Sequence, residues 1–140
     1  MKEIPECFYR VSVKALVLNE TRDKFLICKK ESGTWEFPGG GLDWGATPQE
    51  DLRREVKEEM ELEVAKIADN PSHFITGKSL NRGIWYVNVL YETVLSSLDF
   101  TPSDECIEIR FVDKEDIKEL KVFPSVQKLA ELFKVENHQK

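Results

Sequence analysis

With 140 residues, 41% of them hydrophobic, the chain has enough apolar side chains for one core and is expected to form one domain spanning residues 1–140. Its 26 acidic and 20 basic residues leave a net charge of −6, which argues against nonspecific binding to DNA, RNA or anionic membrane but not against a small phosphorylated ligand, which needs only a local basic patch or metal ions. Cys7, Cys28 and Cys106 are far apart and form no CxxC pair, so they suit a reducing compartment and carry no zinc signature. The start, MKEIPECFYR, is charged and contains proline, unlike a signal peptide, and no apolar run approaches the ~20 residues of a membrane helix; the expected location is the cytoplasm.

In chain order, FYRVSVKALVLNE places apolar residues at 11, 13, 15 and 17, the alternation of a strand. KFLICKK, 24–30, predicts a second strand, with Asn19 to Asp23 as a hairpin-like connection. WEF is a short extended piece, held extended at Phe37 by Pro38, and Gly39 to Gly45 is expected to be loop. TPQE starts a helix: Thr47 as N-cap, Pro48 in the first helical position and Glu50 completing a capping box, with the helix running to about Met60. LEVAKIAD, HFITGK, GIWYVNVLYETVL and IEIRFVD predict further strands, KEDIKEL a short helix and PSVQKLAELFKV a terminal amphipathic helix with Val126, Leu129, Ala130 and Phe133 on one stripe. Strands and helices intermix irregularly, which predicts an α/β or α+β sandwich on a mixed sheet rather than a strictly alternating doubly wound fold.

The helix after the glycines divides into three sectors. With Leu52 at zero and a step of about 100° per residue, Leu52, Val56 and Met60 fall together, then Arg53, Lys57 and Arg54, then Glu58, Glu55 and Glu59. A merely solvated helix interleaves its charges to gain i,i+4 attraction. Here Glu55 and Glu59 are a like-charge i,i+4 pair bordering the apolar edge, where partial burial strengthens repulsion. A divalent cation reverses the sign of that interaction, and carboxylate oxygens are the hard ligands Mg²⁺ prefers. The preceding Gly39, Gly40 and Gly41 lack Cβ, so the backbone there can approach a phosphate or offer a carbonyl to a metal. No Gly-Lys-Ser/Thr follows, so this is not a P-loop.

The stretch GGGLDWGATPQEDLRREVKEEMEL resembles the Nudix box, here about residues 40–62: Gly40 matches its leading glycine, and Arg54, Glu55, Val56, Glu58, Glu59 and Leu62 match in register. The resemblance implies an α/β/α sandwich around a mixed β-sheet and hydrolysis of a pyrophosphate bond in a nucleoside diphosphate linked to another group. It also implies a requirement for Mg²⁺, with Mn²⁺ able to substitute. The catalytic residues it implies are Arg54, Glu55 and Glu58. Glu58 and Glu59 would ligate metal, Glu55 would be ligand or general base, Gly40 would give its backbone carbonyl, and Arg54 would orient Glu55. A further carboxylate from the loop before a late strand is expected among Asp104, Glu105 and Glu108, with Glu105 taken as the metal ligand. Two positions depart from the family pattern. Ala46 stands where the box has glutamate, which leaves Glu50 as a substitute partner for Arg54, and Glu61 stands where it has glycine. At Glu61 the expectation is a left-handed stop rather than a helix that runs on, because the next strand starts close behind.

The substrate-binding candidates are Gly39, Gly40, Gly41, Trp44 and Arg10. Trp35, Phe74, Trp85 and Tyr86 are further aromatics able to stack on a base, and Lys29, Lys30, Lys78 and Arg82 further cations able to reach phosphate; His73 and His138 have no ligand spacing. The expected partner is a small nucleotide or nucleoside diphosphate derivative, and a homodimer is left open. A nucleotide-binding or regulatory module that does not turn its ligand over is the alternative. An isoprenoid diphosphate isomerase is disfavoured by the short chain.

Overall fold

The computed structural model describes residues 3–79 and 81–139; residues 1, 2, 80 and 140 of the expected domain lie outside the described residues. Strands β1 (Arg10–Leu16), β4 (Gly39–Gly41), β5 (Val64–Ile67), β6 (His73–Lys78) and β7 (Trp85–Leu95) form one sheet; β2 (Phe25–Lys29), β3 (Trp35–Glu36) and β8 (Glu108–Val112) form a second. In the larger sheet β1 runs parallel to β7 and antiparallel to β4. The long β7 is shared along its other edge: β6 pairs with its first half and β5 with its end. The sheet is therefore mixed, as expected.

Alternation along β1 assigns its two faces. Val13 and Ala15 point into a core with Leu52, Val56 and Met60 of helix α1 (Pro48–Met60), while Leu16 points into another with Leu90, Val126 and Leu129, the last two on helix α2 (Pro124–Leu132). One helix thus covers each side of the β1–β7 pair, the layering of an α/β/α sandwich. The Thr47 hydroxyl accepts the Glu50 N–H at 3.2 Å and Pro48 occupies the first helical turn, so α1 starts where its cap and proline dictate. It ends at Glu61 with φ 55°, ψ 32°, the left-handed stop, where the Glu61 N–H donates back to the Lys57 carbonyl at 3.0 Å. Among the described residues no helix is long and apolar enough to cross a membrane, and the three cysteines are free.

One expectation is corrected. Gly39 to Gly41 are not loop: they pair with Ser12 to Lys14 as β4. A residue without a side chain weakens a strand, yet only such residues fit here, because both faces of β4 are already filled. The segment Asn19–Asp23 is the hairpin-like connection expected: the Asn19 N–H donates to the Lys24 carbonyl at 3.0 Å and the Leu26 N–H to the Val17 carbonyl at 2.8 Å around an antiparallel Leu18–Phe25 bridge, and beyond it the chain passes from the larger sheet to the smaller. KEDIKEL gives the short helix expected, of the 3₁₀ type, at Asp116–Glu119.

Candidate functional site

β4 separates two chemically opposite surfaces. Its residues alternate, so a Cβ on Gly40 would point towards α1 and lie 2.5 Å from the Glu55 Cδ. On the other face a Cβ on Gly39 would lie 2.2 Å from the Val13 carbonyl oxygen, and one on Gly41 would fall on the Arg10 guanidinium. The Glu55 carboxylate therefore rests directly on the Gly40 backbone. No other residue type allows that approach.

On the α1 side, Arg54 organises the acids. Its guanidinium lies 3.2 Å from an oxygen of Glu55, 3.2 Å from Glu58, 3.3 Å from the buried Asp51 and 3.1 Å from Asp43. Asp51 in turn accepts the Asp43 N–H at 2.7 Å, which ties the loop to the helix. These anions hold the guanidinium proton more firmly than usual, led by the Glu58 hydrogen bond. The expectation that Glu50 partners Arg54 is corrected: Asp51 and Asp43 take that place, since Asp51, one turn before Arg54, is buried against the loop while Glu50 is exposed. The i,i+3 spacing of Asp51 and Arg54 was the available sequence signal.

The three glutamates have different environments. Glu55 is partly buried, and burial pushes its pKa up; Arg54 opposes this, and the nearby charges of Glu58 and Glu105 add to it. Glu58 is exposed and reaches only Arg54. Glu59 is 2% exposed. One of its oxygens accepts from Lys30 Nζ at 2.7 Å and the other from the Gly39 N–H at 2.8 Å. Burial still raises its pKa despite these donors. Burial works against the Lys30 charge, but Glu59 more than compensates and the ammonium is held well above the ordinary lysine range. Glu105 sits in the exposed turn whose Ser103 hydroxyl donates to the Glu59 carbonyl at 2.7 Å, and of Asp104, Glu105 and Glu108 it is the one whose charge acts on Glu55.

Among the described residues no group of three or more acidic, histidine or cysteine side chains is placed to hold a metal ion. The donor set nevertheless fits Mg²⁺. That ion dehydrates reluctantly and is commonly held by one or two carboxylates plus substrate phosphate rather than by an all-protein shell. Glu55, crowded by like charges and seated on the Gly40 backbone, would be such a partial site.

On the opposite side of β4, Arg10 donates to the Leu42 carbonyl at 2.9 Å, and Lys14 bridges Glu36 at 2.9 Å. Lys14 is buried in the middle of a strand; a lysine inside the apolar run SVKAL was the signal for a functional face there. Trp44 is fully exposed on the loop. Trp35 is core, packed with Phe25 and Phe37, which removes it as a stacking candidate. Trp85 is half exposed beside Tyr9 on the other face of the sheet from Arg10, with Lys78 over its ring. His73 and His138 stack on each other, with Ser72 hydrogen-bonded to the first ring and Glu92 beside the second, which are structural contacts.

The family model for the NUDIX domain matches residues 8–133. The nucleoside triphosphatase NudI of Enterobacter sp. (strain 638) is 29% identical over 109 residues, 69% of this chain and 77% of that protein. The RNA pyrophosphohydrolase of a Nitratiruptor species is 42% identical over 57 residues, only 37% of each chain. Among solved structures, the MutT protein from Methanosarcina mazei Go1 superposes with a TM-score of 0.78 at 22% identity, covering 97% of this chain and 100% of that one.

Proposed function

Because the chain belongs to the Nudix hydrolases, we propose that it cleaves a pyrophosphate bond in a nucleoside diphosphate linked to another group, a small cytoplasmic nucleotide, and that it requires Mg²⁺ or Mn²⁺ to do so. The observation that carries this reading is the Glu55 carboxylate: seated on the Gly40 backbone, fixed by Arg54, and kept partly protonatable by burial and by Glu58 and Glu105. The relatives named for nucleoside triphosphate and RNA pyrophosphate chemistry support the reaction class.

The residues would divide the work as follows. Glu55, Glu58, Glu59, Glu105 and the Gly40 carbonyl would hold the ion. Once bound, it would neutralise phosphate charge, align the phosphates and acidify an attacking water. Glu55 would accept the water proton at a carboxylate oxygen. Arg54 would keep Glu55 and Glu58 in register, anchored by Asp51 and Asp43. The side-chain-free strand Gly39–Gly41 would let the phosphates lie against backbone, and Arg10, and Trp44 from the loop, would contact the rest of the substrate.

One observation favours the non-hydrolytic alternative: both Glu59 oxygens are already occupied by Lys30 and Gly39, so Glu59 must exchange a buried ion pair to become a ligand. Release of phosphate or pyrophosphate from a panel of nucleoside triphosphates and sugar-linked and dinucleoside polyphosphates, with Mg²⁺, Mn²⁺ or EDTA, separates the two. The hydrolase predicts turnover that EDTA abolishes and that Glu55→Gln reduces at least about a hundredfold. Tight nucleotide binding without turnover would establish the binding module instead.

A further inference from the structure

Across the larger sheet, on the face towards α2, four residues stand in register: Ser12 on β1 opposite Gly41 on β4, and Asn88 on β7 opposite Ser12 and Ile75. The next row towards the open end is Arg10, Tyr86 and Gly77. Arg10 and Tyr86 are neighbours in the ladder but bend apart. The guanidinium lies over Gly41, and the Tyr86 hydroxyl lies where a Gly77 Cβ would be, 2.4 Å from that position. Each glycine makes room for one of them. The space between is left to Ser12 and Asn88, with the Lys14–Glu36 ion pair behind them.

Asn88 is 5% exposed, and its carboxamide hydrogen-bonds to no described residue. No polar side-chain atom among the described residues is sealed from solvent without a partner, so the amide must open into the space above it. An amide so nearly buried can find partners only in that space. Its chemistry says what would match it there: an amide offers a donor and an acceptor side by side, matching the edge of a heterocycle. With Ser12 beside it in the ladder and the long planar side chains of Arg10 and Tyr86 to either side, the space has a polar floor and flat sides.

We propose that this Ser12–Asn88 floor, walled by Arg10 and Tyr86, reads the nucleobase of the substrate, with Asn88 as the residue that determines base preference. The inference rests on the pyrophosphohydrolase reading for the identity of the ligand as a nucleotide. Geometry links the two half-sites. Asn88 is two strand spacings from β4, about 10 Å, and β4 is only a backbone thick between this floor and Glu55. A nucleotide whose base rests on the floor would pass its ribose and phosphates across the glycine strand to the acids. The polar floor also disfavours an isoprenoid chain.

The test is titration of the four ribonucleoside 5′-monophosphates, and of ribose 5-phosphate as the baseless control, in EDTA, followed by NMR. At least one mononucleotide should bind at least tenfold tighter than ribose 5-phosphate and shift the Asn88 side-chain amide. Asn88→Leu should erase that margin while its melting temperature stays level or rises, because an unpartnered amide is gone. Asn88→Ser covers the case in which the leucine chain does not fold: it should change the rank order of the four bases. Mononucleotides binding no better than ribose 5-phosphate would overturn the proposal. So would an unchanged margin in Asn88→Leu, or an unchanged rank order in Asn88→Ser. Because these titrations need neither metal nor turnover, their failure is distinguishable from absence of hydrolysis with Mg²⁺, which would defeat the catalytic reading alone.

Discussion

The two faces of β4 are separated by one backbone and are built on opposite principles. On the α1 face, acids crowd together: Glu55 feels Glu58 and Glu105, and Arg54 alone serves four carboxylates. On the α2 face the cations Arg10 and Lys14 stand over Gly41 and Gly39, and Asn88 lies beyond them. The acidic face gathers like charges that a cation would offset; the other presents the Asn88 amide, which hydrogen-bonds to no described residue. Sites that bind are expected to carry such local strain in the free protein, because the ligand offsets it.

The glycine triplet offers the hardest way to break this picture. Gly39→Ala meets a backbone carbonyl at a φ of +130°, so neither neighbour nor backbone can yield. A loss of at least about 3 kcal/mol in denaturant unfolding is expected. Gly40→Ala drives its methyl into the Glu55 carboxylate and should lose turnover more than stability. Gly41→Ala meets the far end of a flexible arginine and should be the mildest of the three for the fold while weakening substrate affinity. Equal stability losses at 39, 40 and 41 would mean that the two faces are not distinct.

Glu59 and Glu58 sharpen the contrast within α1. Glu59→Gln leaves Lys30 facing a neutral amide in a buried position and should cost about 1–3 kcal/mol. Glu58→Gln loses only a surface pair with Arg54 and should stay within about 0.5 kcal/mol in a thermal melt. A reversed order would refute the burial assigned to Glu59.

The smallest effect concerns the end of the same helix. Glu61 holds a left-handed conformation that a residue with a Cβ adopts at a cost. Glu61→Gly should therefore gain about 1 kcal/mol with little change in turnover, since the acids at 55, 58 and 59 precede it. A lower melting temperature would contradict the strain.

Much of this was readable beforehand. The α1 boundaries followed from Thr47, Pro48 and the need to stop before the next strand, all local signals. The three sectors of α1 also separate in space, but the sequence could not rank burial within the acidic one. Glu59 lies deepest because Lys30, 29 residues away, and the Gly39 N–H reach it there. The glycine strand was read as loop because local propensity opposes it; its pairing with β1 is a long-range decision. Asn88 passed unnoticed within an aromatic, β-branched strand, since its missing partner is a property of the folded sheet alone.

The account's central claim, that the α1 face is built to hold a cation, is tested most directly by the melting temperatures of the wild type and Glu55→Gln with and without Mg²⁺. A carboxylate whose folded pKa is raised costs stability above that pKa, and the cost fades as pH falls through it towards the ordinary carboxylate range. Without metal, Glu55→Gln should therefore melt at or above the wild type at pH 7, with the gap closing as the solution is acidified. With saturating Mg²⁺ the wild type should gain stability and overtake the variant, because only it presents the full carboxylate set. A wild type that melts at the same temperature with and without Mg²⁺, or a variant that gains as much from Mg²⁺ as the wild type, would contradict the claim.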